Sequence, residues 1–337
     1  MSNLDTAPTE STCPALDPTA SPAPVTLSPR EVPLGGPRAM SVRRTLPHRD
    51  IRTIGAWCFV DDYGPLTPAD PPMAVPPHPH SGLQTVTWLL SGTVQHRDST
   101  GGASVVRPGE LNIMTSGRGI THSEYSAPDE QVRGVQTWVA LPSHAMAAEP
   151  HFEHHADLPR VTVPSPTGAD LTAIVFIGTF AGATSPAHHY SPLVGVELSA
   201  AGATEALLPL DPAFEYGLLA LDDPVTVDGV ALQPGDLRYL GWGDESLTLR
   251  VGGPTKVLLL GGEPLTEELL MWWNFVGRTH EDIAAARADW ESGAARFGSV
   301  VGDPTERLRA PILPNARLRP RPGRRSVSDE DGAGTGS

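Results

Sequence analysis

The chain has 337 residues, which is enough for about two domains that each bury a core. Its formal net charge is −15 and its pI is near 5.2, so direct binding to nucleic acid or to anionic lipid is not expected. The two cysteines, Cys13 and Cys58, argue against a disulfide framework and favour a reducing compartment.

The first segment has the composition of an unfolded tail. Residues 1–36 are rich in Pro, Ser, Thr and Ala and show little hydrophobic periodicity. They bury too little apolar surface to offset the entropy lost on ordering, so they are predicted to be disordered. The segment lacks the apolar central run of a secretory signal, and no stretch of the chain has the ~18 apolar residues of a membrane helix. A cytoplasmic protein without a membrane anchor is expected.

The first candidate metal ligands lie in Pro77-His78-Pro79-His80. Residues two apart on an extended strand point to the same side, so His78 and His80 can share one ion. A single His-x-His pair is common, however, and by itself is more often structural than ligating.

Short strands and tight turns follow this pair. Strands are predicted at residues 84–90, 94–97, 103–107 and 111–114. His122 and Glu124 come next, again two residues apart, and the strands at 84–90 and 111–114 can bring the two couples together. Three neutral imidazoles and one carboxylate suit Fe, Mn, Co, Ni, Cu or Zn. Octahedral coordination would leave two positions for water, dioxygen or a chelating substrate.

The same order of strands and turns recurs in the second half of the chain. The element Pro-Gly-acid-Leu occurs at 108–111 and at 234–237, an offset of 234 − 108 = 126 positions. Strands are predicted around the second copy at residues 224–227, 230–232 and 238–240. Dense short strands with an internal repeat are typical of duplicated β-barrels. The predicted fold is therefore all-β, with two β-barrel (jelly-roll) domains in tandem at residues 37–150 and 151–300.

The offset also indicates what the second barrel lacks. Applied to the four candidate ligands, it gives Thr204, Ala206, Thr248 and Arg250, none of which can replace the original set. Six other histidines receive structural interpretations. We expect a solvated connection between the barrels, rather than a second metal site, at His144, His151, His154 and His155. A surface loop is expected to contain His188 and His189, since adjacent strand residues face opposite ways.

One helix is predicted near the end, at residues 278–291. Thr279 can cap it with Asp282 as the reciprocal partner. The helix would pack on a barrel through an apolar face formed by Ile283, Ala286 and Trp290. Residues 301–337 contain scattered arginines without interleaved aromatics and then an acidic end. They are predicted to be a second disordered tail rather than a nucleic-acid-binding one.

Two segments resemble the signatures of the pirin family. They are His-Pro-His-Ser-Gly-Leu-Gln-Thr-Val-Thr at 78–87 and Met-Thr-Ser-Gly-Arg-Gly-Ile-Thr-His-Ser-Glu at 114–124. Residues 136–142 and 273–278 fit the same family, and the resemblance spans residues 40–295. Pirins are bicupins, with two cupin barrels in one chain. The resemblance implies a metal-free second barrel and, in the first, Fe(II) held by His78, His80, His122 and Glu124.

Three further positions are predicted to lie near the metal. Gln84 stands where the general cupin motif and many pirins have Glu, and it is expected to orient a ligand or a bound water. His96 and Arg118 are expected to line the pocket, although a turn residue is an equally good interpretation of Arg118. Glu124 is then the obvious acid/base group close to the metal and the predicted catalytic residue.

The resemblance implies two main functions. Some pirins cleave the flavonol quercetin with dioxygen, and a flavonol or related enediol could bind the metal while Glu124 takes its hydroxyl proton. Other pirins resemble metal- and redox-dependent regulators that bind a transcription factor or a metabolic enzyme. A metal-assisted isomerase, or a fold whose ion is only structural, is a third alternative. Four ligands with open positions exceed what a structural ion needs, which favours the dioxygenase. A monomer is expected.

Overall fold

The computed structural model describes residues 11–13, 21–34, 40–64, 72–127 and 129–319. Within them the chain forms 26 β-strands and one α-helix, in agreement with the all-β prediction. The first half contains β1 (Ser11–Cys13), β2 (Val25–Leu27), β3 (Arg30–Leu34), β4 (Met40–Leu46), β5 (Trp57–Tyr63), β6 (Ala74–His80), β7 (Leu83–Ser91), β8 (Val94–Asp98), β9 (Ala103–Val106), β10 (Leu111–Thr115), β11 (Ile120–Ser126), β12 (Arg133–Ala140) and β13 (His151–His155). The second half contains β14 (Arg160–Val163), β15 (Leu171–Phe180), β16 (Ala183–Thr184), β17 (Leu193–Ala200), β18 (Thr204–Pro209), β19 (Glu215–Ala220), β20 (Val225–Val227), β21 (Val230–Leu232), β22 (Leu237–Gly241), β23 (Ser246–Val251), β24 (Thr255–Gly262), β25 (Leu269–Trp272), β26 (Phe275–Gly277) and α1 (His280–Ser292).

The first barrel consists of two antiparallel sheets. One has seven strands in the order β13-β10-β7-β12-β5-β4-β3, and the other has four in the order β6-β11-β8-β9. The predicted strands at residues 84–90, 94–97, 103–107 and 111–114 correspond to β7, β8, β9 and β10. Gly92 follows β7 and Gly109 precedes β10, with φ of 73° and 83°. Glycine adopts this left-handed conformation without steric cost, which explains why the turns fall there.

The second barrel repeats this order strand for strand. Its larger sheet has the order β14-β15-β17-β24-β19-β22-β2, with β16 paired to β15, and its smaller sheet has the order β18-β23-β20-β21. The offset of 126 carries β10, which starts at Leu111, onto Leu237, where β22 starts. It also carries Ile120, the start of β11, onto Ser246, the start of β23. The predicted duplication of the fold is therefore confirmed.

Each barrel is completed by an edge strand from outside its own predicted range. β2 precedes the first barrel in the chain but pairs with β22 of the second. β13 begins at the predicted start of the second barrel but pairs with β10 of the first, with His151 opposite Thr115. The first barrel's sheet therefore extends to His155, beyond the predicted boundary at residue 150. The interpretation of residues 151–155 as a solvated connection is wrong, because their backbone completes this sheet.

Parts of both predicted tails are ordered. β2 and β3 lie within residues 1–36, and the buried Leu27 belongs to the core between the barrels. At the other end, residues 301–319 pack without regular structure; Leu318 is buried, and the Leu308 amide donates to the Pro77 carbonyl at 2.8 Å. The prediction of disorder is wrong for these stretches: β3 pairs with the neighbouring β4, whereas β2 and residues 301–319 have partners that are distant in sequence. The rest of both tails, residues 1–10, 14–20, 35–36 and 320–337, lies outside the described residues.

A cluster of buried apolar side chains joins the two barrels. Trp88 of β7 stacks on Phe176 of β15, with ring centroids 4.8 Å apart. The Trp88 indole N–H donates to Glu197 of the second barrel at 2.8 Å. Aromatic burial on this scale contributes strongly to stability, so the two barrels form one packed unit.

The predicted helix is confirmed as α1. The Thr279 hydroxyl accepts from the Asp282 amide at 3.2 Å, and the Asp282 carboxylate accepts from the Thr279 amide at 2.9 Å. The helix ends at Gly293, which is left-handed. Its buried face consists of the three predicted residues, Ile283, Ala286 and Trp290. No helix in the described part of the chain is long and apolar enough to cross a membrane.

Candidate metal centre

Two paired strands of the smaller sheet carry the four predicted ligands. β6 carries His78 and His80, and β11 carries His122 and Glu124. The strands are antiparallel, with His122 directly opposite His78. The pair expected to do this, β7 and β10, does form, but it lies in the other sheet. The juxtaposition therefore comes from direct pairing of the two ligand-bearing strands.

Proline and glycine explain why the chain takes these positions. β6 is an edge strand of its sheet, and edge strands tolerate residues without an N–H such as Pro77 and Pro79. Before β11, Gly117 has a φ of 48°, and a Cβ there would lie 1.9 Å from the Ala148 carbonyl oxygen. Only glycine fits this close approach, which sets the turn from which β11 begins.

Three imidazole rings face one another inside the barrel. The His122 ring centroid lies 4.3 Å from that of His78 and 5.0 Å from that of His80. The His78 and His80 centroids are 5.1 Å apart. One ring nitrogen of each residue lies within 4.8 Å of the corresponding atoms of the other two, and all three side chains are fully buried. This spacing suits three ligands of a single ion.

Each ring is held through Nδ1. Nδ1 of His78 lies 2.8 Å from the carbonyl oxygen two residues earlier, and Nδ1 of His80 lies 3.2 Å from the Asn274 carbonyl oxygen. Nδ1 of His122 lies 3.4 Å from Nδ1 of His96. Within the described part of the chain, the buried Nε2 atom of all three rings has no hydrogen-bond partner. Burying such an atom is costly unless it binds something, so these residues fit a metal ion.

Burial keeps these imidazoles neutral. Desolvation lowers the pKa of His78 from 6.5 to about 3. It also lowers the pKa of His80 and that of His122 well below the ordinary value. A neutral imidazole has a lone pair for a metal, so protons do not compete strongly for these nitrogens near neutral pH.

Glu124 enters the site after an irregularity in β11. The register of β11 against β6 shifts between His122 and Glu124, which changes the direction of the second side chain. A carboxylate oxygen of Glu124 lies within 4.8 Å of a ring nitrogen of His122 and of His96. The Thr87 hydroxyl lies 3.3 Å from Glu124 Oε1 and 2.9 Å from Gln136 Oε1, and it can donate to either. The carboxylate is thus oriented by the facing sheet.

His96, predicted near the pocket, lies beside His122. Its Nε2 is 3.0 Å from Asp98 Oδ2, and its ring stacks on Phe152 with centroids 4.2 Å apart. The other Asp98 oxygen accepts from the Thr100 amide at 2.7 Å. Asp98 therefore fixes His96, and His96 in turn limits how the His122 ring can rotate.

Gln84 does not face the pocket. It lies on the same side of β7 as Val86 and Trp88, which pack against the second barrel. Its amide nitrogen donates to Thr115 Oγ1 at 2.9 Å and to the His188 carbonyl at 3.0 Å. The predicted role in orienting a ligand is wrong, because strand alternation turns Gln84 towards the junction of the barrels and Thr87 towards the metal centre.

Arg118 occupies the turn before β11, as its alternative interpretation held. Its side chain is 48% exposed and forms an ion pair with Glu149. Its carbonyl accepts a hydrogen bond from Arg296 at 2.8 Å. The expectation that it lines the pocket is wrong, because the turn directs its side chain to the surface.

Sequence reasoning missed three residues around the candidate ligands: Thr87 beside Glu124, Asn274 beside His80, and Asp98, which fixes His96. Asp98 had a usable signal, since it follows His96 by two residues on β8, the same spacing as the predicted couples. Asn274 had none from spacing, because it reaches β6 from the far end of the chain. The adjoining strand β26 donates from the Val276 amide to the Ser81 carbonyl at 3.0 Å.

Two family models match this architecture barrel for barrel. The pirin model matches residues 39–139, which contain both ligand-bearing strands, and the model of the pirin C-terminal cupin domain matches residues 194–298. The chain belongs to the pirin family. The resemblance inferred from the two motifs is therefore confirmed, together with the bicupin fold.

Other pirins and solved structures are similar over most of the chain. A Pseudomonas aeruginosa protein named provisionally as a quercetin 2,3-dioxygenase is 44% identical over 288 residues, covering 85% of this chain and 89% of the relative. Human pirin is 27% identical over 263 residues, covering 76% of this chain and 88% of the relative. The crystal structure of quercetin 2,3-dioxygenase from Acinetobacter baumannii has a TM-score of 0.82 at 40% identity, covering 88% of this chain and 98% of that one. Pirins bind a metal ion, and this chain has a suitable group of donors.

Proposed function

We propose that this pirin is a dioxygenase for a flavonol or a related enediol, with one metal ion held by His78, His80, His122 and Glu124. The observation that carries the proposal is the convergence of three buried imidazole nitrogens, without other partners in the described chain, beside a carboxylate. Similarity to proteins named as quercetin 2,3-dioxygenases, at 44% and 40% identity, supports the substrate class.

Iron is the proposed metal. Histidine nitrogens and a carboxylate with open positions are typical of non-haem Fe(II) oxygenases, although the same donors accept Mn, Co, Ni, Cu and Zn. When bound, the ion would polarise a substrate oxygen and provide the open positions that a chelating substrate and dioxygen require.

Glu124 is the proposed acid/base group. A carboxylate oxygen lies within 4.8 Å of a ring nitrogen of His122, whose pKa is lowered by burial, and the ionised carboxylate would accept the proton of a flavonol 3-hydroxyl. Thr87 lies 3.3 Å from one of its oxygens and fixes its orientation. Trp138 meets the His80 ring edge-on at 5.1 Å and stacks on Phe59 at 4.1 Å, forming an apolar wall that excludes water from this side.

Metal content and oxygen uptake test this proposal together. Protein prepared without a histidine tag is compared with His80→Ala and with His144→Ala, which removes an exposed imidazole outside the site. We expect near-stoichiometric iron in the wild type and in the His144→Ala control, but not in His80→Ala. Only the first two should consume oxygen and quercetin, in equal molar amounts.

Two outcomes contradict different parts of the proposal. Equal iron in all three proteins, or iron in none of them, would overturn the metal centre. Iron that depends on His80 without oxygen uptake, for quercetin and for related enediols alike, would overturn the dioxygenase and keep the metal centre.

The second candidate is a metal-dependent regulator that binds a protein partner. The observation that favours it is burial, because the four proposed ligands are at most 1% exposed. A partner protein would not touch an ion bound there, so the ion would act by changing the conformation of the barrel surface. The charge of −15 favours a protein partner over nucleic acid. Pulldowns with ferrous, ferric and metal-free protein should then recover different partners, and identical recoveries would count against this candidate.

A further inference from the structure

A second group of metal-ligating side chains lies where the two barrels meet at the surface. His151 and Glu153 come from β13 of the first barrel's sheet, and His188 comes from the loop between β16 and β17 of the second barrel. One donor atom of each residue lies within 4.8 Å of those of the other two. The sequence concealed this group, because His188 follows the other two after an intervening hairpin.

The His151 ring is oriented as a ligand. Its Nδ1 lies 3.1 Å from the Glu149 carbonyl oxygen, which can only accept a hydrogen bond, so Nδ1 carries the proton. In the neutral ring Nε2 then has a lone pair, and it faces Glu153 Oε1 at 3.5 Å. Two acceptors that face each other repel unless a cation, either a proton or a metal ion, lies between them.

The Glu153 carboxylate is fixed with one oxygen towards this centre. Its Oε2 lies 2.9 Å from His155 Nε2 and accepts from the His188 amide at 3.2 Å. These contacts use one oxygen and leave Oε1 directed at His151. Glu153 and His151 are two residues apart on β13, so both side chains lie on the same side of the strand.

The backbone of His188 is bound to the first barrel through both its N–H and its carbonyl group. The His188 amide donates to Glu153, and its carbonyl accepts from Gln84 at 3.0 Å. Its ring lies 5.9 Å from that of His151 and meets Tyr190 edge-on at 4.6 Å. The third donor is therefore held in place before any ion binds.

From this geometry we infer a second metal site, in which His151, Glu153 and His188 bind a divalent transition-metal ion and connect the two barrels. Two imidazoles and one carboxylate favour ions such as Zn²⁺, Ni²⁺ and Cu²⁺ over Mg²⁺ and Ca²⁺, which prefer oxygen donors. The His151 and Glu153 side chains are 38% and 22% exposed, so water can complete the coordination. The inference is independent of the dioxygenase proposal, because it shares no ligand with the buried centre.

Zinc titration of chelator-stripped protein tests the site. Calorimetry and elemental analysis after gel filtration would compare the wild type with His188→Ala, Glu153→Gln and the control His144→Ala. Both ligand variants should lose one zinc equivalent per chain, or bind it at least about tenfold more weakly. The control, which removes an exposed histidine outside this group, should match the wild type. His78→Ala should retain this equivalent even if the buried centre no longer binds zinc.

The inference is overturned if both ligand variants bind zinc with the wild-type stoichiometry and affinity, since a protonated His151 would then explain the contact. It is also overturned if His144→Ala loses the same equivalent. Loss in His78→Ala alone would assign zinc binding to the buried centre and leave the surface group without a metal.

Discussion

His78 and His151 each have Nδ1 beside a backbone carbonyl oxygen, but the two side chains differ in burial. His78 is fully buried, its Nδ1 is occupied, and desolvation lowers its pKa to about 3. His151 has a comparable Nδ1 contact, but its side chain is 38% exposed. A buried neutral nitrogen has few alternatives to a metal, whereas an exposed one can also bind water or a proton. The same residue type would thus suit a permanent centre at the first proposed site and an exchangeable ion at the second.

His96 gives the first prediction at this scale. It lies between Asp98 and His122, so His96→Ala should let the His122 ring rotate and weaken iron binding about 10- to 100-fold with all four proposed ligands intact. Competition with a chelator measures the change. Arg118→Ala, at an exposed turn, should leave the affinity unchanged, and His96→Gln should restore part of it. Wild-type affinity in His96→Ala would mean that His122 needs no support.

The pKa of His78 predicts how the stability of the metal-free protein depends on pH. The folded-state pKa of about 3 lies below the ordinary value of 6.5, so between these limits the unfolded chain binds more protons. Stability should therefore fall as the pH is lowered from 6.5, by about 2 kcal/mol at pH 5 from this residue. Urea unfolding at pH 7.5 and pH 5 would measure it. His78→Ala should show a correspondingly smaller decrease than the wild type or His144→Ala, and equal decreases in all three would contradict the assignment.

At the scale of elements, local signals predicted strands and turns well, and distant pairings were missed. β7 to β10 and β20 to β22 follow from alternation and turn glycines that lie close together in the sequence. β2 and β13 are short edge strands whose partners, β22 and β10, lie outside their own segments. Nothing in a three- or five-residue strand specifies which distant edge it completes.

The cap of α1 can be tested as a local element. Thr279→Ala removes the hydroxyl that accepts from the Asp282 amide, and this should lower the free energy of unfolding by about 1 kcal/mol. Ser292→Ala, at the exposed end of the same helix, should change it by only a few tenths of a kcal/mol. Urea unfolding followed by circular dichroism gives both values. Equal effects would indicate that tertiary packing, rather than the cap, determines where the helix begins.

Across the whole molecule, duplication preserved the scaffold and not the donors. β6 and β11 correspond to β18 and β23 in the second barrel, where Thr204 and Arg250 occupy two of the positions given by the offset. The four candidate ligands were predictable because they form two short couples on strands. The groups that hold them were not, because Thr87 comes from the facing sheet and Asn274 from the far end of the chain.

The last prediction concerns Trp88, which lies at the junction between the two barrels. Its indole packs on Phe176 and donates to Glu197, so Trp88→Phe leaves a buried carboxylate short of one donor. The free energy of unfolding should fall by about 1–3 kcal/mol. Iron content should not change, because Trp88 lies on the side of β7 that faces the second barrel. Trp242→Phe, on a partly exposed loop, is the matched control and should change stability by only a few tenths of a kcal/mol.

Urea unfolding monitored by circular dichroism, with metal analysis of the same samples, measures both quantities. A lower midpoint with a single transition would mean that the barrels unfold together and that their contact stabilises the whole molecule. Separate transitions, or a midpoint equal to that of the Trp242→Phe control, would contradict this. Loss of iron in Trp88→Phe would instead mean that the junction and the metal centre are coupled through β7, whose opposite faces carry Trp88 and Thr87.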